Sequence, residues 1–145
     1  MKASEMTQAQ RLELICEAVR YCQRVASLGM PVSAYSKALR EPVHFLWERR
    51  EGSKEECAAY RSRAARGLSF RNRELVFDHS VPFRVLQEKL MKLQPVTPEA
   101  VRHLLERHSV VALITKEEDD RLNAAGLNRK MPPGWDKKNP LARYE

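Results

Sequence analysis

Only two stretches of this chain read as β-strand: "ELVF" at 74–77 and "SVVALIT" at 109–115. Both are short and rich in β-branched or bulky apolar residues. Everything around them carries a helical repeat. Two strands alone are marginal in water, so they must pair and lie against helices. That limits the chain to a predominantly helical α+β fold.

The helices announce themselves by period and caps. In 7–28, "TQAQRLELICEAVRYCQRVASL", Leu12, Ile15, Val19, Cys22 and Ala26 recur at spacings of three and four. Thr7 with Gln10 forms a capping-box pattern, and Gly29 and Pro31 end the run. A second helix is expected from Ser33 to Arg40, where Pro42 either kinks it or opens another. Ser53 with Glu56 caps a third, which Gly67 would stop. After the first strand, "FRVLQEKLMKL" and "TPEAVRHLLERH" are helical, the latter capped by Thr97 with Pro98 at its first position. Thr115 with Glu118 starts the last helix, and Gly126 ends it. The tail "MPPGWDKKNPLARYE" reads as irregular, with Trp135 to pin it. The expected organisation is a helical region over 1–73, a strand–helices–strand–helix core over 74–127 and a tail over 128–145, together one compact unit. If the strands pair, the second delivers the last helix beside the end of the first.

Length and composition narrow the class. A chain of 145 residues suits a single core. No stretch approaches the run of about 20 apolar residues that spans a bilayer, and "MKASEMTQAQRLEL" has no hydrophobic signal core, so a cytoplasmic protein is expected. Cys16, Cys22 and Cys57 include no C-x-x-C pair and read as buried reduced thiols rather than a disulfide or zinc framework. The net charge of +7, from 26 Lys+Arg against 19 Asp+Glu, favours polyanionic partners. Arg61, Arg63, Arg66, Arg71 and Arg73 form the densest basic run, just before the first strand. They are the candidate phosphate contacts.

The candidate chemistry sits in "FDHSVP", at the end of that strand. Asp78 and His79 are adjacent. Strand neighbours point opposite ways, so the two share a site only if the chain bends there; Ser80 to Pro82 would supply the bend. Together, "FDHSVP" and "LITKEEDDRLN" resemble the opening and closing motifs of HNH-type nucleases, the ββα-metal fold, over roughly 75–125. The resemblance implies that Asp78 binds a divalent metal and that His79 activates water. On the last helix, Asp119 stands where the family usually has histidine, and Asn123 where another ligand or phosphate contact falls. The central Asn that names the family has no counterpart here, since no Asn lies between Asn72 and Asn123.

The residue types suit that reaction. Phosphodiester hydrolysis needs an activated water and a cation for the departing oxygen. A neutral imidazole can accept the proton. Two carboxylates and an amide oxygen make a hard oxygen site, fit for Mg²⁺ or Mn²⁺. One reading is therefore a metal-dependent endonuclease acting on nucleic acid, DNA in the first instance. A second is a degenerate HNH-like module that binds nucleic acid or a protein without cutting, a description that small phage or plasmid anti-defence proteins would fit, and a third is a purely helical interaction protein in which the motif is accidental. In the nuclease reading the helical N-terminal region would support the core or choose its partner. His44, His103 and His108 read as packing or surface residues.

Overall fold

A computed structural model of the chain describes residues 2–50, 52–70 and 73–145. The fold is α+β and mainly helical, in the order α1 (Gln8–Ser27), α2 (Ser36–Val43), α3 (Lys54–Cys57), β1 (Tyr60–Arg61), β2 (Leu75–His79), α4 (Phe83–Met91), α5 (Pro98–His108), β3 (Val111–Thr115) and α6 (Lys116–Ala124). Capping boxes at Thr7, Ser53 and Thr115 start α1, α3 and α6 as their sequences predict.

The main core forms between α1, α2, α4 and α5. Leu12, Ile15 and Val19 meet Leu39, Val43 and Trp47 from α2 and the turn after it, and Leu86, Leu90, Val101 and Leu105 from α4 and α5. Apolar residues on both sides of β2 in the sequence therefore share one core. Cys16 and Cys22 are buried free thiols within it, and burial raises both thiol pKa values; Cys57 is only half-buried.

Pro42 neither ends its helix nor opens a separate one. The chain stays helical through it and then widens into a π turn over His44–Glu48, with Arg49 N–H donating to the His44 carbonyl at 2.9 Å. Widened turns of this kind are uncommon and collect at functional positions. Here the wider turn buries Trp47 and Glu48 side by side.

The sheet has three strands in the order β1-β3-β2. β2 and β3 are antiparallel, with Asp78 opposite Ala112 and His79 opposite Val111. β1 runs parallel to β3, with Tyr60 opposite Ala112. This corrects the helix expected to run from Ser53 to Gly67. It stops at Cys57, because the open edge of β3 offers backbone partners: Ala59 N–H donates to Val111 O and Ser62 N–H to Leu113 O, both at 3.0 Å. Tertiary pairing there outweighs helix propensity.

The tail is irregular apart from a short 3₁₀ turn at Ala142–Tyr144. Trp135 donates its indole N–H to Asn139 O at 2.7 Å and sets its ring edge-on to His108. His108 is buried, and its Nδ1 has no partner among the described residues. Burial, then the cations of Lys89 and Arg107, push its imidazole from 6.5 down to about 4. Between those values the unfolded chain takes up a proton that the folded one refuses. The contribution of this group to stability is complete above 6.5 and is lost as pH falls towards 4. Over that range wild type should lose up to about 3 kcal/mol more than His108→Phe, measured by chemical denaturation across the interval.

Candidate functional site

β2 stays regular through His79; Ser80 continues the ladder by donating to Val110 O at 2.9 Å. The expected bend comes after the pair, not between its members. Asp78 and His79 therefore project from opposite faces of the sheet. Each faces a different set of groups, and the shared site expected from "FDHSVP" does not form.

On the Asp78 face, Ala112 and Ile114 of β3 pack with Leu122 of α6, half-buried Val76, Leu127 and Tyr144. The tail folds back over this layer. Arg143 is 4% exposed and spends its donors there. Its Nη1 donates to Asp78 Oδ2 at 3.0 Å and to His79 O at 2.6 Å, and its Nε donates to Leu127 O at 2.7 Å. The Tyr144 hydroxyl also donates to Asp78 Oδ2. Burial, then the neighbouring Asp78 charge, raises the Tyr144 pKa. Asp78 is thus neutralised by a buried guanidinium and capped by a phenol.

α6 does swing beside β2, as the expected pairing requires. Burial, then the charges of Asp78 and Asp120, raises the Asp119 pKa, so its carboxylate feels Asp78. Asn123 is exposed one turn further on. Glu118 is spent on structure: it accepts from Thr115 N–H at 2.9 Å and from Ser62 Oγ at 2.6 Å. Among the described residues no group of three or more His, Cys, Asp or Glu side chains is placed to hold a metal ion. The set Asp78, Asp119 and Asn123 does not fit Mg²⁺ or Mn²⁺ as it stands, because a divalent cation would meet the Arg143 charge already seated on Asp78.

On the other face, His79 meets the helical half. Its Nε2 lies 2.8 Å from Glu48 Oε1. The same oxygen lies 3.1 Å from His44 Nδ1, and Ser109 Oγ donates to Glu48 Oε2 at 2.8 Å. The Glu48 side chain is 1% exposed, so these partners are what keep its charge tolerable. Burial favours the neutral acid, but the hydrogen bonds from His44, His79 and Ser109 win and hold Glu48 at about 2. Burial likewise pulls the His79 pKa down; Glu48, by hydrogen bond and charge, lifts it above its ordinary value on balance. Phe77 lies edge-on to both imidazoles. Nothing in the sequence pairs Glu48 with His79; the one clue was Pro42 inside a helical run.

His79 opens onto a cleft of about 740 Å³ whose wall also carries Arg40, Arg84, Gln87, Lys92 and Arg129. Among the described residues, none of the expected phosphate contacts lines it. Arg61 borders a different cleft beside Arg121 and Tyr144, and Arg73 lies near Lys116 and Glu117. Arg63 and Arg66 are exposed on the segment between β1 and β2. Arg71 lies outside the described residues. The chain matches no family model, no curated protein and no solved structure.

Two outcomes follow from the paired faces. Asp78→Asn should destabilise the fold by about 3 kcal/mol in chemical denaturation, since it strands a buried guanidinium. The Glu48–His79 pair should contribute most between pH 4.5 and 6.5. Below 4.5 the Glu48 contribution falls away towards about 2, and above 6.5 the His79 contribution is lost as pH rises through its raised folded value. Glu48→Gln should flatten both limbs of a stability–pH profile.

Proposed function

We propose that this chain is a nucleic-acid-binding module on an HNH-like scaffold that does not cut through the metal site its motif implies. The observation that carries this reading is the buried Arg143 guanidinium on Asp78. It supplies a permanent positive charge where the resemblance implies a divalent ion. The antiparallel β2–β3 pair running directly into α6 supports the scaffold half of the reading. The binding half is supported by the net charge of +7 and by exposed arginines on several elements. His79, held by Glu48 on the far side of the sheet from Asp78, is not aimed at a water on an Asp78-bound ion.

Plasmid nicking with Mg²⁺, Mn²⁺ or no metal tests this directly. The expected result is no cleavage in any condition, with retention of the nucleic acid that weakens steeply as salt rises. Neither metal should raise the thermal midpoint, since an ion bound only by the folded state would stabilise it. Metal-dependent cleavage by wild type that disappears in His79→Ala would overturn the reading in favour of the nuclease.

A further inference from the structure

We infer that the cleft beside His79 is where single-stranded nucleic acid binds, in place of the Arg61–Arg73 run; this rests on the binding function proposed above. The cleft draws its cations from three separate places in the chain. Arg40 comes from α2, Arg84 from α4 with Lys92 just beyond it, and Arg129 from the segment after α6. All four are exposed, so each can reach a phosphate at little desolvation cost. Among the described residues their one carboxylate neighbour on the wall is Glu88, which holds Arg84 loosely at 3.7 Å.

The cleft is more than a charged surface. Arg40 is braced over the Phe83 ring at 5.6 Å, which fixes its guanidinium at the rim. The His79 ring is held from behind by Glu48 through Nε2; its Nδ1 makes no protein hydrogen bond among the described residues, and the side chain is 29% exposed. Gln87 lines the cleft and is 5% exposed. Val32, Pro82 and Met91 line the space between the cations. A volume of about 740 Å³ admits an extruded nucleotide with its phosphates on the rim. A duplex would present its backbone to the rim alone and leave the floor unused, so an unpaired strand is the better occupant.

Anisotropy titrations with labelled single strands, the matching duplex and polyglutamate test the assignment. The double variant Arg84→Glu/Arg129→Glu should weaken single-strand binding at least about tenfold and flatten the slope of log affinity against log salt by about 1.4, or about 0.7 per lost contact. Arg63→Glu/Arg66→Glu should change affinity less than about threefold. All four positions are exposed, so circular dichroism should show both variants folded. On wild type, the Gln87 side-chain amide and the His79 ring resonances should shift on titration with the single strand. Loss of binding only in the Arg63/Arg66 variant, or resonances at Gln87 and His79 that stay still under saturating strand, would overturn the site. Tighter binding of duplex would overturn the unpaired strand as occupant, and equal binding of polyglutamate through the cleft would assign it to an acidic protein. If wild type retains no nucleic acid at any salt, the binding function itself fails, which is a different result from binding that ignores the cleft.

Discussion

The pairing of β2 with β3 is the constraint on which the remaining geometry hangs. Its register sets Asp78 opposite Ala112 and His79 opposite Val111 with no bulge between. A strand with period two must then send its neighbouring side chains to opposite faces. One face meets α6 and the tail; the other meets the helical half. A single extra residue in β2 at this point would have put the two side chains together, and the chemistry open to the chain would be different.

Each face answers a buried charge in its own way. Asp78 is answered by a cation brought from the far end of the chain, with Arg143 anchored on four backbone and side-chain oxygens. Glu48 is answered by two imidazoles, which are charged only when protonated, and by a neutral hydroxyl. The first ties the tail to β2. The second ties β2 to the helical half through hydrogen bonds whose strength depends on protonation. The same contact turns the outer edge of the His79 ring towards the basic cleft.

Much of the fold was legible. Apolar stripes located α1, α4 and α5, and caps located α1, α5 and α6, where a threonine side chain accepts from one of the first free N–H groups. The two strand-like runs became neighbours in one sheet, and α6 arrives beside β2. Tyr60 and Arg61 were hidden inside a helical pattern, since a two-residue edge strand leaves no period to detect. The π turn was hidden too, although Pro42 marked the place where the helix had to adjust.

The candidate site divides along the same line. The sequence by itself determined which residue types stand where: a carboxylate and an imidazole at a strand end, acidic residues opening the last helix, and an excess of positive charge. It could do so because these follow from residue type and short-range spacing. Only the tertiary structure decided their partners. Arg143 reaches Asp78 across 65 residues and Glu48 reaches His79 across 31. Arg40, Arg84, Lys92 and Arg129, never close in sequence as a set, converge on one cleft. Ion pairs and clefts of that range depend on how packed elements cross, and no local pattern encodes the crossing.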